Sequence, residues 1–236
     1  MEPFRLKHFT VNHTRSPMKV GTDGLLLGAW THIPESTQSI LDVGAGTGLI
    51  ALQMAQRSHA GLIDAVEIDP DAYEECVGNF ENSPWGDRLF CYHASFRALA
   101  DEMDEPYDLI VSNPPFHQAG TKPEDPGRKK ARSADWLEPE DLFSGSARLL
   151  SDQGLLSIIY PYQEEARLLT EAQGHGLWPG RICRVKGKQN GPVVRSLITF
   201  GKQPRPVAEE ALTIRTTDGK FSREYVDLVA EFYLKM

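Results

Sequence analysis

The sequence has little cysteine: three among 236 residues, Cys76, Cys91 and Cys183, widely spaced and with no C-x-x-C pair. An odd, scattered set argues against a disulfide framework and reads as reduced, partly buried thiols in a cytoplasmic protein. There is no apolar run near the ~18 residues that cross a bilayer, so no membrane role is expected. Met1-Glu2-Pro3-Phe4-Arg5 shows no apolar segment ahead of a small-residue cleavage site, so no secretory leader is expected either. The Asn12-His13-Thr14 sequon then has no bearing, because glycosylation needs the secretory route. The seven histidines never fall in H-x-x-x-H or H-E-x-x-H spacing, and no metal site is expected. An excess of positive charge is also missing. The formal net charge is -8, which at first sight argues against a nucleic-acid partner.

Charge distribution changes that reading. Arg181 to Arg205 holds seven basic residues and no acidic one; residues 1–19 hold four against one, and residues 122–132 five against two. Hydrophobic residues make up 40% and charged residues 25%, the balance of a soluble globule with a real core. The length suits a single domain over residues 1–236: a lead-in at 1–38, a core at 39–201 and a C-terminal extension at 202–236.

Through the core, short apolar runs alternate with helical spacing. Strands are expected at Ser39–Val43, Leu62–Ile68, Leu89–His93, Tyr107–Ser112 and Gly154–Tyr160, with a closing hairpin of Arg181–Val185 and Val193–Phe200. Helices are expected at Leu49–Arg57, from Pro70 toward Asn79, at Pro139–Leu150 and at Gln163–Gly174. Outside the core, Leu25–Trp30 reads as a short apolar helix, and residues 222–235 as an amphipathic one capped by Ser222. Such alternation predicts an α/β fold with an open, mostly parallel sheet and helices on both faces. Gln118 to Asp135 is polar and without period, and reads as a loop.

Leu41-Asp42-Val43-Gly44-Ala45-Gly46-Thr47-Gly48 ends the first of these strands and opens the first helix. Glycines here allow a tight turn and close approach of backbone to a ligand. The spacing is G-x-G-x-G, not the G-x-G-x-x-G of dinucleotide dehydrogenases. Asp42, two positions ahead of Gly44, would repel a pyrophosphate but can accept a bond from a ligand ammonium. The pattern favours a zwitterionic amino-acid ligand. Glu67 lies at the end of the second strand, about 20 residues beyond the last glycine, where a carboxylate can bond both ribose hydroxyls. Ile68 would lie against the adenine. A packing-only glycine turn is the bland alternative.

These residues resemble the class I S-adenosylmethionine methyltransferases. The resemblance implies a Rossmann-like, seven-stranded, mostly parallel sheet ending in an antiparallel hairpin. It implies S-adenosyl-L-methionine as cofactor and S-adenosylhomocysteine as product. Many such enzymes carry an Asp after the third strand that bonds the adenine amino group. Here the region reads His93-Ala94-Ser95-Phe96, which leaves Ser95 as the substitute.

Asn113-Pro114-Pro115-Phe116 follows the fourth strand, which in this architecture ends beside the transferable methyl. The lone pair of a base amino group or an amide nitrogen is delocalised and a poor nucleophile. Fixing its two N–H groups on two acceptors aims it at the methyl and favours pyramidal geometry. The Asn113 side-chain oxygen is one acceptor and the Pro114 carbonyl the other; Pro115 stiffens the loop and Phe116 offers a stacking face. The work is positioning, and no strong general base is needed. Alone, a double proline could simply end a strand.

The chain ends narrow the family. Phe4-Arg5-Leu6-Lys7-His8-Phe9, Met18-Lys19-Val20-Gly21-Thr22-Asp23-Gly24 and Phe232-Tyr233-Leu234-Lys235-Met236 resemble the bacterial tRNA(Val) adenine N6-methyltransferases over essentially the full length. That resemblance implies methylation of the adenosine just 3′ of the anticodon in one valine tRNA; a cytoplasmic monomer is expected. The same resemblance makes Lys19, Thr22 and Asp23 cofactor-site residues. The expected RNA contacts are Arg128, Lys129, Lys130 and Arg132, next to the Asn113 loop, and Arg181, Arg184, Lys186 and Lys188. Ribosomal-RNA guanine N2 enzymes and release-factor glutamine N5 enzymes share the loop but typically carry an additional domain. A non-catalytic protein that binds RNA and cofactor is the remaining alternative, and intact Asn113, Pro114 and Pro115 count against it.

Overall fold

Residues 2–115 and 137–234 are described by a computed structural model. Two short strands, β1 (Phe4–Arg5) and β2 (Thr10–Val11), pair antiparallel and lead to α1 (Thr22–Trp30). Strands and helices then alternate: β3 (Ser39–Val43), α2 (Leu49–Arg57), β4 (Leu62–Glu67), α3 (Pro70–Glu81), β5 (Leu89–His93), α4 (Phe96–Glu102) and β6 (Tyr107–Ser112). Next come α5 (Pro139–Leu149), β7 (Leu150–Pro161), a 3-10 turn at Tyr162–Glu164 and α6 (Glu165–Gly174). The chain closes through β8 (Trp178–Lys188), β9 (Val193–Gly201), β10 (Ala208–Arg215) and α7 (Arg223–Val229).

The main sheet has the order β10-β8-β9-β7-β6-β3-β4-β5. Every neighbouring pair is parallel except the two made by β9. The central strands read as nearly continuous apolar runs because both their faces are covered. Ile40, Leu109 and Val111 face α1, α2 and α7 in one core with Leu25, Leu52 and Tyr225. Leu41, Val43 and Ile110 face α4, α5 and α6 in the other, with Phe96, Phe143 and Leu168. Two layers of helix on one sheet is the α/β architecture expected.

Eight strands stand where seven were expected. The extra one, β10, pairs parallel with β8 at the sheet edge, so the C-terminal extension completes the core sheet. Its first four residues, Ala208 to Ala211, are exposed and include Glu209 and Glu210, which hides the strand pattern. Those acids reach arginines of β8 two positions from their register partners: Arg181 binds Glu210 at 2.6 Å and Arg184 binds Glu209 at 2.9 Å. The final helix is shorter than expected, ending at Val229. The carbonyls just beyond it are claimed by tertiary donors: Lys7 Nζ to Ala230 O, Gln56 Nε2 to Glu231 O and Lys7 N–H to Phe232 O. Helix α4 also escapes the sequence pattern, being only seven residues long; Ser95 caps it, and Phe96, Leu99 and Ala100 bury it.

Candidate active site

From β3 the chain steps outward to β4 and β5, then crosses back to β6 on the other side of β3. Such a reversal leaves a crevice outside the carboxyl ends of the strands. A cleft of about 800 Å³ opens there, between the ends of β3, β4 and β6 and the start of α4. That volume is within the range of small-molecule sites.

The glycine turn forms its floor. Gly44 and Gly46 have φ of +70° and +56°, and a Cβ on either would meet nothing within 4 Å. Only glycine holds this left-handed path without strain, and the space a side chain would take is left to a ligand. Gly44 and Ala45 N–H donate to Val66 O at 2.9 and 3.1 Å, which docks the turn on β4. Gly48 has another role. At φ +77° it lies against α3, where a Cβ would come within 2.5 Å of Phe80 Cε1 and 2.8 Å of Cys76 Sγ. It closes the packing of α2 on α3 and does not line the cleft.

Glu67 lines the cleft from the end of β4. Its carboxylate accepts from Gly46 N–H at 2.7 Å and from Ile68 and Asp69 N–H at 2.8 Å each. Three amides hold it rigid and leave it acceptor capacity toward the cleft. Ile68 and Ser95 line the same wall. The Ser95 hydroxyl accepts from Ala98 N–H at 3.2 Å, so its first duty is to cap α4.

Asp42, expected to accept from a ligand ammonium directly or through water, lies beneath the turn, fully buried. One oxygen accepts from Ala51 N–H at 3.0 Å and anchors the first turn of α2, while Oδ1 is buried with no hydrogen-bond partner. Burial first, and then the neighbouring Glu67 charge, push its pKa up to about 7, against the opposing Ala51 amide.

Met18, the first residue of the lead-in motif, lines the facing wall of the cleft together with Ser16 and Pro17, two residues the sequence did not single out. They are held by Glu75 of α3, a buried carboxylate that accepts from Thr14 N–H at 2.6 Å, Arg15 N–H at 3.0 Å, Ser16 N–H at 2.9 Å and the Thr14 hydroxyl at 3.1 Å. Burial alone would raise the Glu75 pKa; the amides of Ser16, Arg15 and Thr14 outweigh it and bring it below the ordinary value. Lys19, Thr22 and Asp23 lie beside this wall, not on the lining. Lys19 Nζ donates to Thr14 O at 3.1 Å and Ser16 O at 2.8 Å, and so shapes the wall from behind. Asp23 pairs with Arg195 of β9 at 2.8 Å, and Thr22 starts α1. Nothing in the sequence distinguished Glu75 from any acidic residue on a solvated helix face.

Asn113 stands where β6 ends, beside the buried Pro114 and the cleft-lining Pro115. The Ser112 hydroxyl donates to Val43 O at 2.8 Å and ties this loop to the glycine turn. Asn113 Oδ1 is buried and has no hydrogen-bond partner among the described residues. A buried acceptor left unmatched is costly. Phe116, Arg128, Lys129, Lys130 and Arg132 lie outside the described residues. Among the described residues there is no cluster that could hold a metal, and no helix long and apolar enough to cross a membrane.

The other expected RNA contacts divide. Arg181 donates to Glu210 through Nε and Nη2, reaches Trp30 O at 3.0 Å and lies 4.2 Å over the Trp30 ring. Arg184 is gripped by Glu165 and Glu209, and its pKa is raised by those bonds. Both guanidinium charges are thus neutralised inside the fold, which weakens the expectation that they meet phosphate. Lys186 and Lys188 carry no such partner among the described residues.

Residues 18–171 match the family model for the methyltransferase small domain. A tRNA1(Val) (adenine(37)-N6)-methyltransferase of Christiangramia forsetii is 49% identical, covering 100% of this chain and 99% of its own. Proteins of the same name from Flavobacterium psychrophilum and Bacteroides fragilis are 48% and 42% identical, each over 99% of this chain and over 100% and 98% of their own. Among solved structures, an O-methyltransferase assigned by prediction from Agrobacterium tumefaciens superposes with a TM-score of 0.70 at 20% identity, covering 89% of this chain and 96% of its own. A precorrin-6y C5,15-methyltransferase from Geobacter metallireducens gives 0.54 at 14%, covering 83% and 93%. These two speak for the fold alone. The cleft suits the cofactor of that fold, S-adenosyl-L-methionine: glycine floor, carboxylate on the second strand, buried Asp42 beneath. On its end-to-end identity with these relatives, the chain belongs to the tRNA1(Val) (adenine(37)-N6)-methyltransferase family of S-adenosylmethionine-dependent enzymes.

Proposed function

We propose that this protein methylates N6 of the adenosine at position 37, just 3′ of the anticodon, in a valine tRNA. The observation that carries the reading is Asn113 Oδ1 at the end of β6, a buried acceptor without a partner among the described residues. It can take one N–H of the base amine, and the Pro114 carbonyl can take the other. Holding both protons turns the nitrogen lone pair out of conjugation and toward the cleft. The cofactor supplies an electrophilic methyl on a sulfonium. Glu67, fixed by three backbone amides, orients the ribose, and the Gly44–Gly46 turn takes the amino-acid end. Ser16 to Met18 shield the opposite side from water. The nitrogen becomes acidic only as the new bond forms, so a proton can leave without a dedicated strong base.

The same reading has the protein working in the cytoplasm as a monomer. The test is incubation with labelled S-adenosylmethionine and an unmodified valine tRNA transcript, followed by nucleoside analysis. N6-methyladenosine at position 37 is expected. N2-methylguanosine, or label on protein glutamine, would replace this substrate with one of the two alternatives. Asn113→Ala should abolish transfer and leave S-adenosylhomocysteine affinity within about threefold; equal loss of both would make the residue structural.

A further inference from the structure

Strand register carries the catalytic edge of the sheet well beyond Asn113. In the parallel pair of β6 and β7, Ser112 lies opposite Ile158, so Pro161 lies past the end of β6 on the same edge. Pro161 is opposite Arg195 of β9, Arg195 opposite Val185 of β8, and Val185 opposite Leu212 of β10. Residues beyond Val185 and Leu212 therefore emerge from the edge that bears Asn113. They include Lys186, Lys188 and Arg215, and Lys188 and Arg215 are direct register partners. At ~4.8 Å per strand, β8 and β10 stand roughly 14 and 19 Å from β6.

This end of the basic segment differs from its beginning. Arg181 and Arg184 are neutralised by Glu210, Glu165 and Glu209, whereas Lys186, Lys188 and Arg215 have no ion pair among the described residues. Arg215 is nevertheless held in place. Its guanidinium lies 4.2 Å over the ring of Phe221, and Nη1 donates to Gly219 O at 2.8 Å. Phe221 in turn stacks on Tyr225 with centroids 5.1 Å apart and planes 27° apart. Tyr225 is 2% exposed and Phe221 40%, so the column is rooted in the core and ends in solvent. Asp218, the acid in the same turn, is bound by Lys220 at 3.0 Å and by the Thr216 hydroxyl. An ordered, unpaired guanidinium plane on an exposed aromatic ring is a surface on which a base can stack.

We propose that this end of the sheet is a second contact point for RNA, in which Lys186 and Lys188 bind phosphates and the plane of Arg215, backed by Phe221, stacks an unpaired base. The proposal rests on the reading that the substrate of the Asn113 site is an RNA. It adds that the RNA is engaged as a loop or single strand, since paired bases are not free to stack on protein.

The experiment measures binding of an unmodified valine tRNA transcript across roughly 50 to 200 mM salt, with methyl transfer measured alongside. S-adenosylhomocysteine affinity within twofold of wild type certifies that each variant is folded. Lys186→Ala with Lys188→Ala should lower the slope of log affinity against log salt by about 1.5. Arg215→Ala should weaken binding roughly tenfold, and Arg215→Lys should recover less than half of that loss on a logarithmic scale. A wild type that neither binds nor methylates tRNA would overturn the underlying RNA reading. An active wild type whose variants bind tRNA as it does would overturn this platform alone. Full recovery by Arg215→Lys, or a duplex RNA binding as tightly as a loop, would overturn the stacking role.

Discussion

The two ends of the sheet are built by different means. Around β3 and β4 the site is made by backbone: left-handed glycines, a carboxylate held by amides and strand ends meeting at a reversal. Around β8 and β10 the architecture is made by side-chain pairs, Arg181 with Glu210 and Arg184 with Glu165 and Glu209. Backbone requirements restrict residue type sharply and so write themselves into sequence. Ion pairs between distant segments restrict only sign, and either partner alone looks like an ordinary surface charge.

The largest effect expected from breaking this contrast is at Gly48. Gly48→Ala combines a left-handed φ with contacts at 2.5 and 2.8 Å, and should destabilise the fold by about 2–4 kcal/mol, read by denaturant midpoint. Gly46→Ala should cost about 1 kcal/mol of stability and act mainly on S-adenosylhomocysteine affinity, because its Cβ enters open space. Equal stability losses at the two positions would end the distinction between packing and ligand glycines. At the other end, Arg184→Ala leaves the buried Glu165 and its Ser196 bond without a counter-charge. A loss of about 1–3 kcal/mol is expected, and an undiminished midpoint would show that the pair adds nothing.

Glu75→Gln sharpens the comparison, since it tests a side-chain device inside the backbone-built half. An amide cannot accept from three consecutive N–H groups equally well on both of its heavy atoms. Cofactor-product affinity should fall about tenfold, with kcat at saturating cofactor falling less than twofold. A matching fall in kcat would mean that Glu75 supports more than the wall.

Proton linkage gives a smaller effect. Asp42 has its pKa raised to about 7 by burial and by Glu67, so it is largely protonated at pH 6. A cationic ligand above it favours the carboxylate, and binding then releases a proton. Affinity for S-adenosylmethionine should rise with pH by up to about tenfold per unit below pH 7 and level off above it. Asp42→Asn should flatten that rise; an unchanged profile would remove Asp42 as its source. The smallest effect is expected from Arg181→Ala, which removes a half-exposed pair worth about 1 kcal/mol or less and should leave tRNA affinity unchanged. A loss of tRNA affinity would return Arg181 to the RNA face.

The sequence by itself determined the alternating α/β order, the glycine turn at Gly44 and Gly46, the strand-end carboxylate at Glu67 and the position of Asn113 at the end of β6. Each depends on a local rule: periodicity, a positive φ, or the end of a strand. Tertiary structure alone decided that Gly48 packs on Phe80, that Asp42 is buried beneath the glycine turn, and that Ser16 and Pro17 line the cleft. It also decided that Ala208–Arg215 is an eighth strand and that Arg181 and Arg184 face acids. These depend on which distant segments meet, as when Glu75 reaches back to Thr14 or Arg181 finds Glu210. A charge in a sequence carries no address, and only folding supplies one.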